Sequence, residues 1–463
     1  MRPILQRYLQ VIFIALGLNH PIFSIADDRV MLNAVERNDF KTASELILDG
    51  ANVNAVQADG ATALHWASHW NQIELANQLL DSGADVNATN ELGFDALLIA
   101  CRDSSNEMVN LLLAHGASPK TRAPSGETAL MSCARTGKTQ SVARLLEVGA
   151  DPNAKEIQGG QTGLMWAVAS KHTDTAKLLV DSGANINTQS LGGFTPLMFA
   201  ARSGALEIAF LLIEAGALIN SATSTGLSPL IIASASLDAI TGSDYRLVVE
   251  ESDHEALGIL LLEHGADVTQ TDQYGMTATH YAVEMNKPIL LKALLDAGAN
   301  PNAQLTQGLP FRRGDYVGRE AYNGASPFWL AARLGNVQMM KDLLAAGADP
   351  ELRQAWGVTP LMVASGVTQT DSRIVAEEKL LAAVEMLVLD VRADINAVDR
   401  GGQTAVHGAA NISGNELIKF LVSRGADPEA LDNRGRSPHD VAMRTLRPRP
   451  ITAALLRELT APL

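Results

Sequence analysis

The sequence predicts an all-α repeat solenoid of helix-turn-helix units joined by short β-hairpin-like fingers. Three observations carry the prediction. Glycines recur at a nearly fixed spacing: Gly50, Gly83, Gly116, Gly149, Gly183 and Gly216 are 33, 33, 33, 34 and 33 residues apart. A second motif precedes such glycines, as in "GATALHWAS" at Gly60, "GETALMSCA" at Gly126, "GFTPLMFAA" at Gly193 and "GVTPLMVAS" at Gly357. Paired leucines lie between the two, at Leu79-Leu80, Leu211-Leu212 and Leu343-Leu344. A unit this short cannot bury its own apolar face, so neighbouring units must stack to make a core.

The chain opens on a different pattern. Arg2 and Arg7 give a basic start, Val11–Leu18 is apolar, His20-Pro21 breaks it, and Ser24-Ile25-Ala26 places small residues before Asp27. This is the layout of a signal peptide over residues 1–26, cleaved after Ala26, and it predicts a periplasmic or secreted protein. The apolar run falls short of the ~20 residues that span a bilayer, so no membrane span is expected after cleavage.

Residues 27–463 are then read as a single solenoid of about 12 units. Within a unit, Thr caps the first helix and a following Pro suits its first turn. Small residues such as Ala200-Ala201 and Ala331-Ala332 let neighbouring helices approach. The leucine pair marks the second helix, and Gly ends it in a left-handed conformation. Stretches such as "ADVNA" turn the chain into the next unit. The first unit, about residues 28–57, lacks the opening turn. Beyond Gly216 the spacings to Gly265, Gly298, Gly347, Arg392 and Gly425 are 49, 33, 49, 45 and 33. Insertions near 236–252, 304–323 and 367–379 account for the long intervals. The first and third fall between the helices of a unit, whereas 304–323 lengthens a finger. After Pro448 and Pro450, residues 450–459 read as a capping helix.

The Gly-x-Thr-Pro-Leu-His-x-Ala pattern resembles the ankyrin repeat over about residues 30–445, and the signal sequence suggests an exported bacterial type. The resemblance implies a non-catalytic protein-binding scaffold whose partner meets the turn tips and first-helix ends on a concave side. The turn-tip slots hold Phe94, Phe194, Tyr274, Met276, Tyr322 and Trp356; the helix-end slots hold Trp70, Arg102, Arg135, Arg202, Glu284 and Arg333. The inserted finger adds Phe311, Arg312, Arg313, Tyr316 and Arg319. Aromatic residues and arginine dominate interface energetics, so these residues are the candidate partner-binding set. The partner itself is an unidentified protein, and the chain is expected to be a monomer. An Ala-Ala-Arg run is also common in such repeats for structural reasons.

Other chemistries are less well supported. A formal net charge of −15 opposes non-specific nucleic-acid binding. "ARTGKTQ" (134–140) resembles part of a phosphate-binding loop, but Ser132 stands where that loop needs its first glycine. His65 and His69 have zinc-ligand spacing without a third ligand, and His65, His280 and His407 fill a slot read as structural. Met131, Met165, Met198 and Met362 are read as core. Cys101 and Cys133 occupy alanine slots offset by one position, so two buried thiols are expected, with a disulfide as the alternative. No cofactor and no metal is implied. Two further readings stay open: a small anionic ligand held by the arginine row with Arg312, Arg313 and Arg319, and a secreted effector acting on host proteins.

Overall fold

A computed structural model describes residues 25–103, 105–235, 251–307, 322–368, 375–444 and 448–461. Most of the expected signal segment (1–24) and Phe311, Arg312, Arg313, Tyr316 and Arg319 lie outside the described residues. The described chain is helical and contains no extended strand. It divides into two compact units between Leu191 and Gly192. The first unit holds five helix pairs, with first helices Ile25–Glu36, Ala63–His69, Ala96–Asp103, Ala129–Arg135 and Gly163–Ala169. The second holds seven, with first helices Pro196–Ser203, Pro229–Ser234, Ala278–Glu284, Pro327–Arg333, Pro360–Ala364, Ala405–Ile412 and Pro438–Arg444. Each is followed by a second helix, from Phe40–Leu48 in the first pair to Pro450–Thr460 in the last.

The motif residues act locally. Thr128 Oγ1 accepts the Met131 amide at 3.3 Å, Ser326 Oγ accepts that of Trp329 at 3.2 Å and Asp95 Oδ1 accepts that of Leu98 at 2.8 Å, so a Thr, Ser or Asp closes the open start of these first helices. Proline occupies the first turn at Pro196, Pro229, Pro327 and Pro360. Fully buried leucines, including Leu64, Leu79, Leu97, Leu112 and Leu130, fill the first unit. Each removes apolar surface worth about 2 kcal/mol from water. Trp329, Phe328 and Tyr281 are the largest buried side chains of the second unit.

The two glycine slots differ physically. Gly83, at a helix end, has φ +88° and open space where a Cβ would stand. Gly226, at the start of a finger, has φ +81°, and a Cβ there would lie 2.3 Å from the Thr271 carbonyl oxygen of the next finger. Helix-end glycines answer to dihedral preference alone, while finger glycines also let the next backbone cross. Where Arg392 replaces the helix-end glycine, it takes φ +63° after a π-helical turn at Leu387–Val391.

Neighbouring repeats are tied by an asparagine ladder. The Asn54 amide donates to Gly83 O at 2.9 Å while its oxygen accepts the Asp85 N–H at 2.7 Å. Asn87, Asn153, Asn220, Asn302 and Asn396 repeat the pair of bonds, as with Asn302 to Gly347 O (2.9 Å) and from Asp349 N (2.7 Å). The fingers themselves close on one backbone bond, Gln57 N to Ala61 O for example, four residues apart. In the 34-residue repeat the equivalent bond runs from Glu156 N to Gln161 O, and the Glu156 carboxylate fills the wider turn by accepting N–H groups of Gln158, Gly159 and Gln161. In the inserted finger the bond runs from Leu305 N to Ala325 O, so its ends are twenty residues apart. The additional 16 residues therefore fall, in sequence, between these two bonded residues.

Candidate functional site

In the first unit, the candidate residues gather at first-helix ends and at the junctions between finger and helix. The Arg102 guanidinium lies over the Phe94 ring at 5.2 Å, and that of Arg135 over the Trp166 ring at 5.1 Å. Arg135 also reaches 3.8 Å from the Glu127 carboxylate, whose side chain is mostly buried. Both arginines are exposed. A guanidinium resting on a ring is pre-oriented, and its N–H edge stays able to meet a carboxylate or carbonyl. Trp70 is 38% exposed and meets the His69 ring edge-on at 4.7 Å, while His69 Nδ1 is 2.9 Å from the Asp103 carboxylate.

Trp66 and Trp166 join this face although slot counting omits them. They stand one helical turn before the helix end, where other units carry Ser132 or Ile99. The signal for Trp166 is an aromatic one turn before the helix end, facing Arg135 at the helix end of the preceding unit, while Trp66 meets His69 of its own helix with ring centroids 6.0 Å apart. The true finger tips are also different residues. Leu92, Ile157 and Leu191 project there, 66%, 67% and 75% exposed. Phe94 lies two residues beyond the tip and is half-buried. Met276, read as a tip residue, is buried at the start of its helix, so that placement is corrected.

The second unit presents its candidates differently. Arg202 is exposed, Trp356 is 51% exposed, and Phe194 and Tyr274 are half-buried, Phe194 against Phe199 with rings 6.0 Å apart. Arg333 is not presented at all. It forms an ion pair with Glu284, their side chains 8% and 4% exposed. Tyr322 covers it, its ring 5.3 Å from the guanidinium and 6.0 Å from the Trp329 ring. Arg333 and Tyr322 thus anchor the return end of the inserted finger rather than face outward.

The remaining motifs have structural partners. Lys138 of the phosphate-loop look-alike donates to Cys101 O at 2.7 Å and Thr136 Oγ1 at 3.1 Å. Cys101 and Cys133 are buried as expected, but they form a disulfide with Cα atoms 4.5 Å apart, not two thiols. The one-residue offset from the repeat period makes the two side chains converge. Among the described residues no group of three His, Cys, Asp or Glu side chains is placed to hold a metal, and no helix is long and apolar enough to cross a membrane. A cleft of about 290 Å³ lined by Lys120, Arg122, Asp151 and neighbouring residues includes none of the candidates.

The three motif histidines link each repeat to the next. Thr277 N–H donates to His280 Nδ1 at 3.2 Å, leaving Nε2–H to donate to Ala325 O, 3.4 Å away at the finger stem. His65 and His407 do the same toward Phe94 O and Arg436 O. Burial lowers the pKa of all three, that of His280 to about 4. The neutral ring is therefore the folded form. The unfolded chain takes up the proton first as pH falls, so stability is whole above about pH 6.5 and is lost from there down to about pH 4. The full loss converts to about 3 kcal/mol. Urea titrations at pH 7 and pH 4 should show this loss in the wild type, reduced by about that amount in His280→Gln.

Comparison with known proteins gives a consistent family assignment. The "Ankyrin repeats (3 copies)" model matches residues 16–90, 86–156, 164–241 and 328–432, and the single "Ankyrin repeat" model matches 274–304. Human "Neurogenic locus notch homolog protein 2" is 33% identical over 190 residues, 40% of this chain. Human "Neurogenic locus notch homolog protein 1" is 31% identical over 193 residues, 41% of this chain. The match spans only 6% of the length of either notch protein. The solved human ASB11 ankyrin repeat domain covers 51% of this chain and 98% of its own, at 24% identity and a TM-score of 0.43.

Proposed function

The chain belongs to the ankyrin-repeat family, and from that premise we propose that it is an exported, non-catalytic scaffold that binds a partner protein across its first-helix ends and the 304–323 finger. Ankyrin-repeat domains generally mediate protein–protein interaction. The observation that carries the reading here is the open row of Arg102 on Phe94 and Arg135 on Trp166, beside exposed Trp70. Stacked guanidinium groups and large rings are the residue types on which interfaces concentrate their energy. In the second unit, taken by itself, Arg202 and Trp356 are exposed residues of the same types.

A small anionic ligand would need these cations to converge. Arg102 and Arg135 instead sit on separate helices, each on its own ring, and Arg333 is neutralised by buried Glu284. An extended partner fits such spacing better. Export is supported by the charge and apolar layout of residues 1–26 and by the buried disulfide, which belongs with oxidising compartments.

The finger's part in binding is tested by replacing residues 305–322 with a short turn and comparing pull-downs from periplasmic extract. The variant should lose at least one protein that the intact chain, residues 27–463, recovers. Equal recovery of the same proteins removes the finger from the site.

A further inference from the structure

The disulfide between Cys101 and Cys133 joins two successive first helices, Ala96–Asp103 and Ala129–Arg135. Both cysteines are 0% exposed. Leu97, Ala100, Leu130 and Ala134 around them are buried too. The backbone at the exposed end is also closed: Cys101 O accepts Lys138 Nζ at 2.7 Å and Thr136 Oγ1 at 2.9 Å.

Making or breaking a disulfide by thiol–disulfide exchange needs a third sulfur to reach one of the pair. Two sulfurs with no accessible surface offer no such approach. A folded dithiol would be sealed against an oxidant for the same reason that the folded disulfide is sealed against a reductant. By exchange, the bond is accessible only while the two helices are apart.

We propose that Cys101 and Cys133 form a modification site open only before their helices pack, so that the unfolded chain is the substrate of a disulfide-donating oxidant. The donor is a protein or small-molecule disulfide. One cysteine thiolate attacks it, forms a mixed disulfide and expels the first donor thiolate. The second cysteine thiolate attacks the chain's own sulfur and expels the other. Two electrons pass from the chain to the donor, whose disulfide becomes two thiols, and the two cysteine protons are released to solvent or to those thiolates. Folding then buries the product.

The position gives the bond a consequence for the partner-binding face. Cys101 directly precedes Arg102, and Cys133 lies two residues before Arg135. The staple fixes the spacing of the two helices that carry the stacked arginines. A chain that folded before meeting the oxidant would keep a dithiol and lack this constraint.

The chain has two cysteines in all, so counting thiols by maleimide labelling and mass reads the site without ambiguity. Full-length chain refolded under reductant is freed of it and mixed with oxidised glutathione, in parallel with the same chain in denaturing urea. Oxidation of the folded dithiol should be more than about tenfold slower than that of the unfolded one, because it waits on opening of the helix pair. A smaller difference overturns the proposal. Should the dithiol chain fail to refold, the oxidised chain supplies the decisive reading. Its reduction by dithiothreitol should be more than about tenfold slower without urea than with it, and a smaller ratio overturns the proposal equally.

Discussion

Arg333→Ala should destabilise the second unit by about 3–5 kcal/mol, the usual cost of breaking a buried ion pair from one side. The cost arises from what remains. Glu284, with 4% of its side chain exposed, would keep its charge without its guanidinium, in a site too dry to hydrate it. Tyr322 would also lose the cation beneath its ring, and with it the anchor for the return end of the inserted finger. The double substitution Glu284→Leu with Arg333→Met separates the two contributions. It leaves no orphan charge and fills the space, so it should recover most of the loss. Urea unfolding followed by tryptophan fluorescence checks both, since Trp329 is fully buried beside Tyr322. A single substitution costing less than about 1 kcal/mol would mean that the pair is hydrated like a surface contact.

Cys101→Ala with Cys133→Ala should cost the first unit about 3.5–4 kcal/mol. The bond spans a sequence separation of 32 residues, and freeing a loop of that size returns about this much entropy to the unfolded chain. Alanine is the appropriate replacement because other repeats carry it in these slots, so little packing is disturbed. Denaturation under oxidising conditions, compared with the wild type, measures the difference. A loss below about 1 kcal/mol would show that the two helices are held by packing alone, without help from the bond.

Both effects lie where the sequence pattern stops being informative. The period, the helix starts and the positions of the long intervals can be read from glycines, threonines and leucine pairs, because each acts on its own few residues. Depth is another matter. Arg102 and Arg333 occupy equivalent slots at the ends of their first helices, yet one is exposed and the other buried. The difference comes from Glu284, 49 residues earlier, and from Tyr322 beyond the insertion, neither of which a 33-residue pattern specifies. Trp166 escapes slot counting for a related reason: it reaches the face from the middle of its helix, across to a neighbour's arginine. The cysteine pair was nearly legible. Its offset of 32 rather than 33 residues turns parallel side chains into facing ones, but only the inter-helix distance decides whether they meet.

The central claim, that the stacked arginines form a partner-binding face, is tested most directly by charge reversal with a matched control. Arg102→Glu with Arg135→Glu changes the charge as much as Lys41→Glu with Lys177→Glu, which alters exposed second-helix positions of the same unit. A partner protein captured by the wild-type chain is titrated against both variants. Reversal at Arg102 and Arg135 should weaken binding at least about tenfold, the effect of losing a hot-spot contact, while reversal at Lys41 and Lys177 leaves it within about twofold. Equal affinity in the two variants, whether both keep the partner or both lose it, would contradict the account.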